Sequence, residues 1–194
     1  AASLPGGVAT SAGPAWPGAV SVRSSRTSGA GAWIVFTSDS ADAAPGTGEV
    51  VVVGLGPGDR CWTTPEAAEA LAAADDLVGY GPYLDRVPAN PRQTRHPSDN
   101  RVEAERAAHA LDLARTGRRV AVVSSGDPGV FAMAAAVLEV AERPEFAGVP
   151  VRVVPGLTAA QAVASRVGAP LGHDFAVLSL SDVRKPWEVV VERL

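Results

Sequence analysis

From residue 49 to about residue 170, short apolar runs alternate with longer helix-forming stretches. The runs at residues 50–53, 77–80, 120–123 and 151–154 are continuous and too short for helices. Such runs predict strands that are buried on both faces. Because a helix-forming stretch follows each strand, the pattern predicts βα units on a parallel sheet, and therefore an α/β fold.

Helix-start and helix-stop residues bound the stretches between these strands. Thr63 or Thr64 can cap a helix that runs to about residue 74, because Pro65 suits its first turn. Thr158 can cap another helix, which Gly168 ends. Two further helices are predicted at residues 101–116 and 130–142.

By composition the chain divides into three segments. Residues 1–48 are rich in Ala, Gly, Ser and Pro without a helix or strand period, which predicts a low-complexity tail or linker. The run 33–36 leaves open a strand of an upstream domain in a fusion protein. Residues 49–170 are the predicted N-terminal α/β domain. Residues 171–194, with a strand predicted at 175–180 and a helix from 186, are interpreted as the start of a second, truncated α/β domain.

Composition and charge exclude several classes of protein. Hydrophobic residues make up 46% of the chain and charged residues 20%, near globular averages. No run approaches the roughly 18 apolar residues of a membrane helix, and the net charge of -4 argues against nucleic-acid binding. The single cysteine, Cys61, cannot form an internal disulfide, and no Cys/His spacing predicts a metal site. We expect a cytoplasmic protein with small-molecule partners.

Turns of small residues follow three of the predicted strands, at Gly54, Ser124 and Pro155. Since ligands bind beyond the carboxyl ends of strands in open parallel sheets, these turns should face one crevice. The first turn reads GLGPGD, which lacks the last glycine of the dinucleotide fingerprint and the GK[ST] of a P-loop. A nicotinamide-dependent oxidoreductase is therefore disfavoured, and a purely structural role for the turns stays open.

Three ordered motifs resemble those of the tetrapyrrole methylase family. They are residues 53–59 with Thr64 and Pro65, residues 125–128, and residues 154–160. Within the family, the segments 79–84, 124–133 and 172–182 look most like the precorrin-3B C(17)-methyltransferases of corrin biosynthesis. The resemblance runs from residue 49 to the end of the chain. It implies the parallel-sheet N-terminal domain of a two-domain α/β methyltransferase that binds S-adenosylmethionine between its domains.

By that resemblance, the loops after the first, third and fourth strands contact the cofactor. The implied cofactor residues are Pro57, Ser125, Gly126, Asp127, Val130, Thr158 and Ala159. S-adenosylmethionine has no phosphate, so it needs backbone contacts and a carboxylate that tolerates its sulfonium charge. Asp127 suits that role, but Asp before Pro128 is also a common turn residue, and both roles stay open.

The same resemblance provides candidate substrate contacts. Arg92, Arg95 and Arg101 lie in or beside the polar stretch 91–100, interpreted as a mobile loop over the cleft. Arginine binds carboxylates, which corrin precursors carry, through two parallel hydrogen bonds. The alternative is a solvated loop. Asp59 either faces the tetrapyrrole entrance or caps the loop and helix that follow it, and we favour the cap.

Candidate catalytic residues are few. His173 and Asp174 begin the last predicted strand, at the implied edge of the cleft, where an imidazole can transfer a proton in a ring rearrangement. The alternative is an ordinary hydrogen-bonding histidine, as we interpret His96 and His109. The related uroporphyrinogen methyltransferases have an acidic residue at the end of strand two, where this chain has Tyr80. The acidic residue is proposed to act as a base in those enzymes, and we assign no such base to this chain. Tyr80 is a candidate for packing or hydrogen bonding near the substrate.

The implied reaction is methylation of C-17 of precorrin-3B, or of its cobalt-bound counterpart, with ring contraction to precorrin-4. Two alternatives stay open. One is another member of the superfamily that acts on a different position or acceptor. The other is an inactive cofactor-binding fragment of a longer or fused protein. The resemblance also implies a homodimer.

Overall fold

The computed structural model describes residues 48–100, 102–172, 174–179 and 186–192. The predicted tail and the run 33–36 therefore lie outside the described residues. The strands are β1 (Glu49–Gly54), β2 (Asp76–Tyr80), β3 (Thr94–Ser98), β4 (Arg119–Ser124) and β5 (Val151–Val154). The α-helices are α1 (Pro65–Ala73), α2 (Gly81–Leu84), α3 (Glu103–Arg115), α4 (Met133–Ala141), α5 (Ala159–Val167) and α6 (Trp187–Glu192). Short 3₁₀ helices span Arg60–Trp62 and Pro144–Phe146.

The strands form one parallel sheet in the order β3-β2-β4-β1-β5. The central strand β4 lies between β1 and β2, with Val53 opposite Val123 and Gly79 opposite Val123 on the other side. This arrangement confirms the predicted α/β fold with a parallel sheet. The strand order also brings the carboxyl ends of β1, β4 and β5 to neighbouring positions at one edge.

Alternate residues of the central strands face opposite sides of the sheet. Val50 and Val52 pack with α3 and α4 on one side, whereas Val51 and Val53 pack with α1 on the other. Burial on both sides explains why these strands read as continuous apolar runs rather than as alternating ones. The sheet is therefore the core on which the loops at its carboxyl edge are built.

Two predicted helix caps are present. The Oγ1 of Thr64 accepts a hydrogen bond from the Ala67 N–H at 3.1 Å, at the start of α1. Thr158 begins α5 with a reciprocal capping box, in which Gln161 donates its N–H to Thr158 and accepts from the Thr158 N–H. Gly168 ends α5 in the left-handed conformation, with φ of 68°.

Two boundaries differ from the sequence prediction. Residues 91–100 were expected to be a loop, yet Thr94–Ser98 forms the edge strand β3 beside β2. An edge strand is paired on one side and stays partly exposed, so it needs no apolar run and tolerates Pro97. Helix α4 begins at Met133 instead of residue 130, because Phe131 has a left-handed φ of 51° that no helix accommodates.

The strand predicted at residues 175–180 is a further correction. Residues 174–179 form no strand, Leu180 lies outside the described residues, and Phe175 is 61% exposed. A strand needs a neighbour for its backbone hydrogen bonds, and the described residues place none beside this segment. The helix predicted from residue 186 is present as α6. Among the described residues, no helix is long and apolar enough to cross a membrane.

Candidate functional site at the carboxyl edge of the sheet

Two loops at the carboxyl edge are joined by a backbone bridge. The Gly56 N–H donates to the Gly126 carbonyl at 3.1 Å, and the Gly126 N–H donates back to the Gly56 carbonyl at 2.9 Å. Both glycines have positive φ, 73° and 65°, which side-chain-bearing residues rarely adopt. The bridge fixes the loop after β1, residues 55–58, against the loop after β4, residues 125–130.

Close packing between backbones explains the glycines beside that bridge. A Cβ atom on Gly54 would lie 2.6 Å from the Gly126 carbonyl oxygen and 2.9 Å from the Gly156 nitrogen. A Cβ atom on Gly156 would lie 2.4 Å from that same oxygen. The three predicted turns therefore meet at one point, as expected from the parallel sheet.

Asp127 ties the third loop to the second. Its Oδ1 accepts the Gly129 N–H at 2.8 Å, and its Oδ2 accepts the Gly156 N–H at 3.0 Å. The turn role foreseen for Asp127 is thus present, and it extends to the loop after β5. Its predicted contact with the cofactor stays a prediction.

The other predicted cofactor residues surround this junction. Pro57 lies in the bridged loop, and Ser125 is half-buried next to Gly126. Val130 is 39% exposed, and Phe131 beside it is 63% exposed. Thr158 and Ala159 start α5, directly after the loop that Asp127 contacts. The fold thus brings the whole set to one edge.

Arg86 is a residue of this edge that the sequence analysis missed. It follows α2 and donates from Nη2 to the carbonyl oxygens of Gly58 at 2.7 Å, Gly56 at 2.9 Å and Leu55 at 3.3 Å. Its Nη1 donates to the Ser125 Oγ at 3.1 Å. No sequence signal distinguishes Arg86 from the other arginines, since its partners lie 28 to 39 residues away.

A cavity of about 450 Å³ adjoins the first loop. It lies between α1 and the segment 86–93, with Leu55, Leu71 and Val87 among its apolar lining residues. The Arg60 and Arg92 side chains also line it. In the described part of the chain, neither guanidinium has a hydrogen-bond or ion-pair partner. The cavity therefore combines apolar walls with unpaired positive charge.

The predicted substrate residues are placed differently from one another. Arg92 lines the cavity, whereas Arg95 donates to the carbonyl oxygens of Leu84, Val87 and Pro88 at 2.7, 2.8 and 2.9 Å. Asp59 is exposed and caps a 3₁₀ helix, since its Oδ1 accepts the Cys61 N–H. The favoured capping role of Asp59 is confirmed. Arg101 lies outside the described residues.

Of the predicted catalytic residues, Tyr80 and Asp174 are among the described ones. Tyr80 ends β2 at the carboxyl edge, where its ring packs against Tyr83 in a T-shaped pair at 5.2 Å. Asp174 is exposed in an irregular segment, and His173 lies outside the described residues. Among the described residues, no group of His, Cys, Asp and Glu has the geometry of a metal site.

A second polar cluster occupies the opposite, amino edge of the sheet. Asp76 is 1% exposed and accepts hydrogen bonds from the Arg118 Nε and from the His96 Nε2, the latter at 2.9 Å. The His96 Nδ1 lies 3.1 Å from the His109 Nε2. Burial is the largest influence on the pKa of Asp76 and raises it, but the hydrogen bonds and charges of Arg118 and His96 together outweigh burial and lower that pKa. The contact between these two histidines was not predictable from sequence, because they lie on separate elements, β3 and α3.

Comparison with known families identifies the fold. A sequence model described as Tetrapyrrole (Corrin/Porphyrin) Methylases matches residues 49–194. The chain belongs to the tetrapyrrole methylase family. The match starts at β1 and includes every described element, so the family assignment covers the three loops of the carboxyl edge.

Two curated relatives of this methylase chain are similar at high identity. The cobalamin biosynthesis protein CobIJ of Mycobacterium tuberculosis is 66% identical over 148 residues, which are 76% of this chain and 29% of that protein. The precorrin-3B C(17)-methyltransferase of Sinorhizobium is 55% identical over 150 residues, 76% of this chain and 59% of that protein. The chain thus spans less than two thirds of the length of either relative.

Solved structures show the same fold. A crystal structure of the methyltransferase CobJ matches with a TM-score of 0.73 and 55% identity, over 76% of this chain and 62% of that one. A uroporphyrin-III C-methyl transferase from Thermus thermophilus, complexed with S-adenyl homocysteine, matches with a TM-score of 0.51 and 29% identity, over 68% and 57%.

The residues at the carboxyl edge fit S-adenosylmethionine. The exposed side chains of Val130 and Phe131 offer an apolar surface for the flat adenine ring of the cofactor. No phosphate cradle is needed for this cofactor, and the GLGPGD loop is not one.

Proposed function

We propose that this chain is the cofactor-binding part of an S-adenosylmethionine-dependent methyltransferase of corrin biosynthesis. The proposed reaction is methylation of C-17 of precorrin-3B, or of its cobalt-bound form, with contraction of the ring. The observation that carries the proposal is the junction of three loops at the carboxyl edge, which contains Gly56, Gly126 and Asp127. The names of the Sinorhizobium and CobJ relatives support the choice of substrate.

The three loops share the contacts with the cofactor in this proposal. Pro57, Ser125, Gly126 and Asp127 hold the amino-acid and ribose parts, Val130 packs against the adenine, and Thr158 and Ala159 close the far side. S-adenosylmethionine supplies an electrophilic methyl group on a sulfonium. The loops orient that group toward the acceptor carbon, and such alignment can supply about 7 to 11 kcal/mol of barrier reduction.

The cavity beside the first loop suits part of the substrate. A corrin precursor carries carboxylate side chains on an apolar ring, and the cavity pairs the Arg60 and Arg92 guanidinium groups with the apolar walls of Leu71 and Val87. Unpaired guanidinium groups bind carboxylates through two hydrogen bonds. We assign the carboxylates of the substrate to this cavity. Arg95 is the weaker candidate, because its guanidinium already donates to three carbonyl oxygens.

The remaining assignments are parts of the same proposal. His173 and Asp174 are the candidates for proton transfer, and Tyr80 is the candidate for a contact with the ring. Arg101 is kept as a candidate contact for the substrate carboxylates, and Asp59, which caps a 3₁₀ helix, is the weaker candidate at the tetrapyrrole entrance. We also propose that the protein is a homodimer and that it is fused to a further domain. The lone cysteine supports a cytoplasmic location.

A methylation assay with isotope-labelled cofactor tests the function. The chain and the intact Sinorhizobium relative are incubated side by side with precorrin-3B and S-adenosylmethionine carrying a ¹³C methyl group. We expect a product with one added labelled methyl, located at C-17 by NMR. Label at another ring position would identify another member of the superfamily. Cofactor binding without any product from the chain would identify a cofactor-binding fragment, and no binding would contradict the proposal.

A further inference from the structure

Arg86 joins the two loops that the proposed function assigns to the cofactor. Its guanidinium donates to three carbonyl oxygens of the first loop, those of Leu55, Gly56 and Gly58. It also donates to the Ser125 hydroxyl of the second loop. The acceptors flank Pro57 on both sides. Arg86 therefore fixes the peptide groups around one predicted cofactor residue and the hydroxyl of another.

The chemistry of these contacts favours a positioning role. Hydrogen bonds from a charged donor are roughly twice as strong as neutral ones, and a planar guanidinium holds several acceptors in a fixed geometry. In the described part of the chain, no carboxylate forms an ion pair with Arg86. All four of its acceptors are neutral oxygens of the two loops. The contacts thus set the conformation of the loops instead of neutralising a charge.

We propose that Arg86 is a positioning residue that holds residues 55–58 and Ser125 in the conformation that binds S-adenosylmethionine. The inference rests on the proposed function. Arg86 acts through the carbonyl oxygens of the first loop and through the Ser125 hydroxyl, without touching the transferred methyl group. Lysine cannot replace it, because one ammonium nitrogen cannot reach acceptors in both loops with the same geometry.

Arg106 provides a matched control. It is also an arginine that holds a serine hydroxyl, since its Nε donates to the Ser98 Oγ at 2.7 Å, and it also donates to the Asp99 carbonyl oxygen. Its Nη1 also donates to the Sδ of Met133, the first residue of α4, at 3.1 Å, and none of the three acceptors lies in residues 55–58 or 125–130. A variant at this position therefore measures the cost of losing a structural arginine alone.

The experiment compares Arg86→Lys, Arg86→Ala and Arg106→Lys by titration with S-adenosylhomocysteine and by thermal unfolding. We expect both Arg86 variants to bind at least about tenfold more weakly, while Arg106→Lys lowers the melting temperature and keeps the dissociation constant within about twofold. Millimolar guanidinium ion should restore part of the affinity of Arg86→Ala. Wild-type affinity in the Arg86 variants would overturn the proposal, as would an affinity loss of equal size in Arg106→Lys. An unchanged cofactor affinity with a raised KM for the tetrapyrrole would make Arg86 a substrate ligand instead.

Amide hydrogen exchange without ligand separates this inference from the proposed function. The Gly56 and Gly126 N–H groups form the bridge between the loops, so Arg86→Lys should speed exchange at both amides and leave the amides of β4 unchanged. Unchanged exchange at Gly56 and Gly126 would overturn the positioning role of Arg86 whether or not the cofactor binds. If Arg86→Lys exchanges faster at these amides but the wild-type protein binds no cofactor, the proposed function is refuted and Arg86 still fixes the two loops.

Discussion

At each of these two edges of the sheet, an aspartate accepts two hydrogen bonds, but the kind of donor differs. At the carboxyl edge, Asp127 accepts from the backbone N–H groups of Gly129 and Gly156. At the amino edge, the buried Asp76 accepts from the side chains of Arg118 and His96. Backbone donors are fixed by the path of the loops, so Asp127 determines loop shape.

The partners of Asp76 have a different effect. They are long side chains from β3 and from the residue before β4, and none of them contacts the loops at the carboxyl edge. Asp76 therefore stabilises the fold without shaping the candidate site. If the proposed function holds, cofactor affinity depends on the carboxyl edge and the Asp76 cluster contributes to stability at the amino edge, and each prediction below tests that separation.

The largest expected effect comes from Gly54→Ala. The new Cβ would lie within 3 Å of backbone atoms of Gly126 and Gly156, so the three loops must move apart. We expect S-adenosylhomocysteine to bind at least about 100-fold more weakly, or about 2.7 kcal/mol, by calorimetric titration. Circular dichroism checks that the variant stays folded.

Gly81→Ala is the matched control for this change. Gly81 is at the start of α2, and a Cβ there would meet nothing within 4 Å. Its affinity should equal that of the wild type. Equal losses in the two variants would remove the geometric basis of the comparison.

Asp76→Asn should lower stability while leaving cofactor affinity intact. The amide cannot accept from both Arg118 and His96 as the carboxylate does, and hydrogen bonds to charged groups contribute about 1.5 to 3 kcal/mol each. We expect a loss of about 2 kcal/mol in the free energy of unfolding, measured with urea, because Arg118 stays partly solvated. Asp112→Asn, in an exposed pair with Arg115, should leave that free energy almost unchanged. Weaker cofactor binding in Asp76→Asn would break the separation of the two edges.

Asp127→Asn tests the reverse case. One side-chain oxygen remains, so the bond to either Gly129 or Gly156 is lost and the third loop loosens. We expect about tenfold weaker binding of S-adenosylhomocysteine, or about 1.4 kcal/mol, with a smaller change in the free energy of unfolding. A variant that loses stability and keeps its affinity would show that Asp127 is a turn residue only.

Acid should selectively remove the contribution of Asp76. Its pKa is below the ordinary value of 3.8 in the folded protein, although burial opposes this, because Arg118 and His96 stabilise the charged form. A carboxyl group whose pKa is lowered by folding stabilises the fold above its ordinary pKa and loses that contribution as the pH falls through the folded value. The urea stability of wild type and Asp76→Asn should therefore converge below a pH of about 4. A constant difference down to strongly acidic pH would contradict the lowered pKa.

The central strands and the helix caps were predictable because each depends on local sequence. Continuous apolar runs indicate strands buried on both sides, and Thr64 and Thr158 precede their helices by one residue. The meeting of three loops also followed from the sequence, since parallel strands place their carboxyl ends at one edge. The resemblance to tetrapyrrole methylases then supplied the predicted cofactor residues, whose contact with the cofactor stays a prediction.

Features built from distant residues were missed. β3 has the sequence TRHPS, which shows no apolar pattern because an edge strand is buried on one side at most. Arg86 and the Asp76 cluster depend on contacts between residues 20 to 42 positions apart. The strand expected at residues 175–180 was wrong for a related reason, since an apolar run becomes a strand only where a neighbour pairs with it.

The most direct test of the central claim is amide hydrogen exchange of the protein with and without saturating S-adenosylhomocysteine. The account predicts slower exchange at the amides of residues 55–58, 125–130 and 157–160 other than Pro57 and Pro128, and no change at residues 94–96 and 117–119 on the amino side of the sheet. Protection at the amino edge, or no protection in any of the three loops, would contradict it.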